Sequence, residues 1–251
     1  MQQFDLTGRT ALVTGGSRGI GGAIVELFAA HGAKVGYCQY GDDANAQALA
    51  ARLAEKGTSA AHTACDVSNP SDVESLANWS RDALGPVDIL VNCAGIGGDL
   101  PFEAISLETF DRVMGVNLRG TFMVTQKFYP GMAERGWGRI INFASQLAYK
   151  GAPGLTHYCA AKAGIVGLTR SLAYEAAPKG VTVNAIAPGP VETEILMGLS
   201  DEWRAMKKAQ LPIGRFGQVN EIAPTALLLA SEAGSFYIGQ SLSPNGGDVL
   251  L

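Results

Sequence analysis

No run of basic residues interrupts the chain. Its 19 lysines and arginines are set against 23 acidic residues, a formal charge of −4, so nothing has the density of positive charge needed to track a phosphate backbone or hold an anionic membrane. Nucleic acid and membranes are therefore not expected partners. Long apolar runs are also missing. The N-terminus, Met1-Gln2-Gln3-Phe4-Asp5, is polar and the apolar stretches are of strand length, so neither a signal peptide nor a membrane span is expected, and the protein is placed in the cytoplasm. Cys38, Cys65, Cys93 and Cys159 lack the paired spacing of a zinc site and the density of a disulfide scaffold, which leaves reduced, mostly buried thiols and no metal. Repeats, low-complexity tracts and interdomain linkers are absent too, and residues 1–251 read as one domain.

What is present is an alternation of short apolar runs with helical patterns. Arg9 to Thr14 is an apolar run that stops at Gly15-Gly16-Ser17-Arg18-Gly19-Ile20-Gly21, and a helical pattern continues to Ala30. A strand, a glycine turn and a helix in that order give a backbone that bends tightly and a helix start with free amides, a place for a dinucleotide pyrophosphate. The spacing Gly15-x-x-x-Gly19-x-Gly21 departs from the commoner G-x-G-x-x-G, and such turns also serve plain helix–sheet packing. His31-Gly32 ends the helix, and Ala33 to Cys38 reads as a second strand. Where a carboxylate would take the ribose hydroxyls of NAD stand Gln39 and Tyr40. With no acid there to repel a 2′-phosphate and Arg18 able to pair with one, NADPH is the expected coenzyme, NAD remaining open; Arg18 reads equally as a surface residue.

The alternation continues with a helix over 43–55 and a strand over 58–65 that holds a structural His62. Asp66-Val67 follows, where Asp66 would reach a ligand or cap the helix started by Ser68-Asn69-Pro70. Val87 to Val91 has the unbroken apolar character of a strand buried on both faces, closed by Asn92-Cys93-Ala94-Gly95, whose small residues admit a flat ligand or make a tight turn. Residues 106–135 form one long helix or two in succession, with Asn117 inside as a surface residue or a backbone-bonding kink. A strand over 139–144 delivers Ser145 to its carboxyl end, and another over 181–187 ends in Pro188-Gly189-Pro190. The polar, methionine-bearing stretch from Glu192 to about Leu211 breaks the alternation, as a substrate lid over about 190–212 or a surface insertion would. A helix over 219–231 and a strand at 240–242 complete a doubly wound α/β domain.

Tyr158 and Lys162 stand four residues apart in a segment, 157–177, whose apolar spacing predicts a helix, so both project from one face. A phenol, with an ordinary pKa of about 10, exchanges its proton poorly at neutral pH, and an ammonium fixed beside it would lower that value. Any helix yields such pairs; the rest of the chain gives this one its weight.

Thr14-Gly15-x-x-x-Gly19-x-Gly21, Asn92-x-Ala94-Gly95, Asn117, Ser145, Tyr158-x-x-x-Lys162 and Pro188-Gly189 together resemble the short-chain dehydrogenase/reductase family over essentially the whole chain, with the closest general similarity to β-ketoacyl-acyl-carrier-protein reductases and related ketoreductases. The resemblance implies a Rossmann-type domain with a seven-stranded parallel sheet, in a homotetramer. It also implies that Tyr158 is the general acid in reduction, that Lys162 lowers its pKa and bonds the nicotinamide ribose, that Ser145 orients the carbonyl and that Asn117 holds a relay water. Gly15, Ser17, Arg18 and Ile20 would line the dinucleotide turn, with Gln39 and Tyr40 beside the adenosine ribose and Asp66 and Val67 near adenine. Asn92, Ala94 and Gly95 would back the coenzyme, and Pro188, Gly189, Val191 and Thr193 would meet the nicotinamide. Cys93 stands where the family often has a second asparagine. Two basic docking residues expected near the entrance of carrier-protein reductases map to Gly136 and Lys179, so one is missing, and small free ketones are better supported than large acyl-carrier substrates.

The expected activity is NADPH-dependent reduction of a ketone or β-ketoacyl group to a secondary alcohol. An NAD-linked dehydrogenase oxidising a secondary alcohol or sugar is the alternative, and a non-catalytic dinucleotide-sensing scaffold the remote one, disfavoured because all four catalytic positions are filled.

Overall fold

A computed structural model describes residues 2–250, the side chains of Gln2 and Ile195 excepted. Seven strands alternate with helices: β1 (Thr10–Thr14), α1 (Gly19–Ala30), β2 (Lys34–Gln39), α2 (Asp43–Glu55), β3 (Ala60–Ala64), α3 (Pro70–Ala83), β4 (Ile89–Asn92), α4 (Leu107–Met114), α5 (Gly120–Arg135), β5 (Gly138–Phe143), α6 (Leu147–Lys150), α7 (Thr156–Ala176), β6 (Val181–Ile186), α8 (Glu194–Met197), α9 (Asp201–Gln210), α10 (Val219–Ala230) and β7 (Ser241–Leu242). The strands form one sheet in the order β3-β2-β1-β4-β5-β6-β7, and every pairing is parallel. Because the winding reverses between β1 and β4, the crossover helices part there and leave a crevice at the carboxyl ends of those strands.

Burial on both faces explains the apolar runs. β1, β4, β5 and β6 are buried along their whole lengths. Successive side chains alternate between two cores: Ala11, Val13, Ile89, Val91 and Ile141 pack with Ile24, Phe28 and Leu229 of α1 and α10, while Leu12, Leu90 and Ile140 pack with Leu76, Val124 and Ala173 of α3, α5 and α7. At the start of α3, Pro70 supplies the first helical position and the Asn69 side chain accepts from Ser71 N at 3.0 Å.

Residues 106–135 form two helices in succession, joined by a π-helical turn over Gly115–Arg119 that contains Asn117. Asn117 is no surface residue; it is fully buried. Its Nδ2 donates to Val113 O at 3.0 Å and to Ile96 O at 2.9 Å, so the wider turn aims the side chain at the loop after β4.

Gly136 and Lys179 do not stand near the crevice. Gly136 is the left-handed cap of α5 (φ 70°), and its carbonyl oxygen lies 2.1 Å from where a Cβ on Gly180 would be. The pair sits at the opposite edge of the sheet because α7 runs antiparallel to the strands, and its 21 residues, at about 1.5 Å each, carry the chain roughly 30 Å away from Tyr158. Among the described residues, no helix is long and apolar enough to cross a membrane, and no group of three or more His, Cys, Asp or Glu is placed to hold a metal ion.

Candidate active site

The glycine turn is held to the end of β4 by backbone contact. Gly15 has φ 66°, and a Cβ there would lie 2.8 Å from Ala94 Cα; a Cβ on Gly21 would lie 2.1 Å from Gly15 O, so α1 approaches the turn only because both residues are glycine. Thr14 Oγ1 accepts from the amides of Cys93 at 3.2 Å and Ala94 at 3.1 Å, locking the two strand ends together. The first turn of α1 has no side-chain cap and no acidic residue, which leaves its amides available to an anion. The uncapped helix start and this tightly packed turn, with Ile20 in its first helical residues, fit a dinucleotide pyrophosphate.

At the end of β2 the structure corrects the expectation that no acid is present. Asp42, three residues beyond the strand, folds back: its Oδ2 accepts from Ser17 Oγ at 2.5 Å and lies 3.5 Å from Arg18 Nε. Gln39 makes the fold-back possible, its Oε1 accepting from Asp42 N at 2.7 Å and its Nε2 donating to Asp43 Oδ1 at 2.5 Å. Arg18 also forms a short ion pair with Glu194, so its guanidinium lies between two carboxylates. Tyr40 is exposed and Gln39 buried. Asp66 closes a local turn, accepting from Ser68 N at 2.9 Å, and pairs with Arg112 at 3.1 Å, while Val67 is buried with its side chain against Gly120.

Behind the crevice runs a buried polar chain. Asn92 Nδ2 donates to Thr125 Oγ1 at 2.9 Å and to Asn142 Oδ1 at 2.8 Å, and Asn142 Nδ2 donates in turn to Thr169 Oγ1 at 2.9 Å. This ties β4, α5, β5 and α7 together directly under the site. On the far wall, Gly189 N donates to Pro244 O at 3.1 Å. Val191 bridges to Gly217, and the Thr193 methyl lies 3.7 Å from where a Cβ on Gly19 would be, so the chain after β6 rests against the glycine turn.

β5 and α7 bring the reactive groups together. Ser145, two residues beyond the last residue of β5, is buried, and its Oγ accepts from Leu147 N at 3.1 Å, which leaves the hydroxyl proton free to be donated. Tyr158 lies in the first turn of α7, and the Lys162 ammonium lies 5.6 Å from its ring centroid. Lys162 Nζ donates to Phe143 O at 2.7 Å. Gly95 lies between Asn117 and Lys162: a Cβ there would be 2.7 Å from Asn117 Oδ1 and 3.4 Å from Lys162 Nζ. Asn117 Oδ1, buried and without a partner among the described residues, is an acceptor beside this cluster.

The electrostatics depart from the expectation for the tyrosine. Desolvation pushes the Tyr158 phenol up to about 12; the Ser145 hydroxyl pulls it down, and Cys159 and Cys93 add to the rise. Lys162, bonded to the Phe143 carbonyl, is itself brought down to about 8 by burial. Burial likewise raises the Cys93 thiol to about 12, a protonated neighbour of the cluster rather than a reactive thiolate.

Sequence reasoning missed Asp42 and Glu194 beside Arg18, and Asp248 beside Gln146, Lys150 and Lys207. Asp42 had a local signal in the Asp42-Asp43 pair just past the strand. Glu194 and Asp248 had none, being remote in sequence from the groups they touch.

A doubly wound sheet with a glycine turn at its switch point, and a tyrosine, serine and lysine gathered over the next strand, defines the class: an oxidoreductase of the Rossmann type. Residues 15–248 match the family described as enoyl-(acyl carrier protein) reductase. The chain is 42% identical to a 3-oxoacyl-(acyl-carrier-protein) reductase of Vibrio cholerae, over 99% of this chain and 100% of that one. It is 43% identical to an acetoacetyl-CoA reductase of Rhizobium meliloti, over 95% and 98%. Among solved structures it superposes with a TM-score of 0.92 and 34% identity on a gluconate 5-dehydrogenase of Burkholderia cenocepacia in complex with NADP and tartrate, covering 98% of this chain and 97% of that one. The chain belongs to the short-chain dehydrogenase/reductase family.

Proposed function

We propose that the protein is an NADPH-dependent carbonyl reductase that converts a ketone or β-ketoacyl group to a secondary alcohol. The observation that carries this reading is the convergence of the Ser145 and Tyr158 hydroxyls beside Lys162, next to an uncapped α1 start at the switch-point crevice. A nicotinamide coenzyme supplies the hydride when bound. Tyr158, held neutral by its environment, donates the proton to the carbonyl oxygen, and a phenol raised to about 12 is a proton donor throughout the neutral range. Ser145 orients that oxygen with the proton left free by the Leu147 amide. Lys162 balances the phenolate that forms, and the orphan Asn117 Oδ1 accepts from a relay water.

Gly15, Ser17, Arg18 and Ile20 would hold the pyrophosphate and adenosine end, with Gln39, Tyr40, Asp66 and Val67 around the adenosine. Asn92, Ala94 and Gly95 would back the coenzyme, and Pro188, Gly189, Val191 and Thr193 would face the nicotinamide. Residues 190–212, carrying α8 and α9, act as the substrate lid. The relatives named as 3-oxoacyl and acetoacetyl reductases and the neighbour in complex with NADP support the substrate and coenzyme readings. The protein works as a cytoplasmic homotetramer, and self-association is supported by large apolar side chains left exposed on the helices and turns: Phe102, Leu107, Phe122, Tyr174 and Phe236.

One observation favours the NAD-linked reading: Asp42 beside Ser17 and Arg18 would accept from ribose hydroxyls and repel a 2′-phosphate. Titration with NADPH and NADH decides between them; tighter NADH binding overturns the coenzyme assignment. The reduction itself is tested with a panel of small ketones, β-keto esters and acyl thioesters, following coenzyme absorbance. Tyr158→Phe is expected to abolish turnover while coenzyme still binds, and wild-type turnover in that variant sinks the mechanism.

A further inference from the structure

Asp248, three residues from the end of the chain, is the meeting point of three segments. Its side chain is only 5 % exposed. Lys150, the last residue of α6, donates Nζ to Oδ1 at 2.7 Å. Lys207 of α9 donates to both oxygens, at 2.7 and 2.8 Å. Gln146, the residue after Ser145, makes a short hydrogen bond to Oδ2 through Nε2. Burial pushes the carboxyl pKa up, but the hydrogen bonds from Lys150, Lys207 and Gln146 outweigh it and hold the group below the usual carboxylate range.

The consequence lies in α6. Gln146 precedes this single turn and Lys150 ends it, and both are pinned to the same carboxylate. The turn begins with the Leu147 amide that donates to Ser145 Oγ. Holding α6 therefore holds the donor that sets the direction of the Ser145 hydroxyl. The third donor belongs to the 190–212 segment, whose far end is also bound to the chain terminus, Ile213 N donating to Gly246 O at 3.2 Å.

We propose that Asp248 is a positioning residue that joins the lid to the serine: its carboxylate clasps α9 through Lys207 and α6 through Gln146 and Lys150, so that closure over the substrate and alignment of the Ser145 hydroxyl occur together. The inference rests on the ketone-reductase reading of the site. It assigns to the end of the chain a part in catalysis without contact to the reacting atoms.

Asp248→Asn keeps the shape and the hydrogen-bonding oxygen but removes the charge that both lysines share. Its expected effect is a kcat lower by about tenfold or more and a raised substrate KM, with the NADPH dissociation constant within about twofold of wild type. Lys207→Met, which removes only the α9 arm of the clasp, is expected to raise KM and to lower kcat by less than Asp248→Asn does. A group that only stabilises the fold would lower the unfolding temperature and move neither constant, so wild-type kcat and KM in Asp248→Asn overturn the proposal, as does an unchanged KM in Lys207→Met. Hydrogen exchange reports separately from turnover: the amides of residues 201–210 are expected to exchange faster in Asp248→Asn, and unchanged exchange overturns the clasp. Should the wild-type protein reduce no ketone with NADPH, the activity reading fails, and exchange still decides the clasp.

Discussion

Lys162 Nζ and the carbonyl oxygen of Phe143 are 2.7 Å apart, so the ammonium nearest the candidate acid is bonded to the last residue of the strand that leads to Ser145. The contact fixes the lysine's position and turns its strongest interaction away from the phenol. Burial brings its pKa to about 8, so the group is charged below that pH and neutral above it. Turnover in the reductive direction is expected to fall as pH rises through about 8, because the neutral amine no longer balances a forming phenolate. Steady-state rates between pH 6 and 10 at saturating coenzyme check this; a flat profile across that range removes Lys162 from the mechanism.

The same shift has a consequence for stability. The folded-state pKa of Lys162 lies below its ordinary value of 10.5, so between about 8 and 10.5 the unfolded chain binds the extra proton. The contribution of this residue to stability therefore rises with pH across that window and is constant below it. Denaturant titrations of the wild type and Lys162→Met at pH 7.5 and 9.5 isolate the contribution, which is expected to be present only in the wild type.

Gly95 is the point where Asn117 and Lys162 leave no room. Gly95→Ala would place a methyl 2.7 Å from Asn117 Oδ1, and Asn117 cannot retreat freely because its Nδ2 is bonded to Val113 and Ile96. The variant is expected to lose about 1–3 kcal/mol of stability and most of its turnover. Urea denaturation and kcat measure the two effects, and wild-type values for both would show that the loop moves without cost.

Asp42 is expected to weaken the binding of a 2′-phosphate. Asp42→Ser removes a carboxylate from beside Arg18 and keeps a hydroxyl for Ser17, so the ratio of NADPH to NADH affinity is expected to rise by about tenfold. Fluorescence titration with each coenzyme gives the ratio directly. An unchanged ratio would mean that Arg18 is neutralised by Glu194 alone.

Exposed Phe122 on α5 and Leu107 at the start of α4 are expected to lie between subunits. Phe122→Glu should convert the proposed tetramer to smaller species in sedimentation velocity, since a charge buried in an apolar interface costs several kcal/mol. A wild-type protein that sediments as a monomer rules out the assembly.

The positions named from the sequence that lie close together are those carried by strand ends and by one helix. Thr14, Asn92 and Ser145 follow from apolar runs that end at the same edge of a parallel sheet, and Tyr158 and Lys162 from a four-residue helical spacing. Asn117 was legible as an anomaly inside a helical pattern, but not as a buried π-turn residue, because the backbone widening that buries it leaves no mark in residue type. Gly136 and Lys179 were named only as motif positions, and their place at the amino ends of β5 and β6 follows once the direction of α7 is known.

By itself the sequence determined the alternation of strands and helices, the glycine turn after the first strand and the shared helix face of Tyr158 and Lys162, which depend on short periods and on glycines that no other residue can replace, while Ser145 joined them through the family resemblance. Only the tertiary structure decided the electrostatics around them. It set Asp42 and Glu194 on either side of Arg18, raised the Tyr158 pKa through burial, and gathered Gln146, Lys150 and Lys207 onto Asp248. The physical reason is that desolvation and ion pairing act through space over a few ångströms, between residues the chain separates by as many as 176 positions.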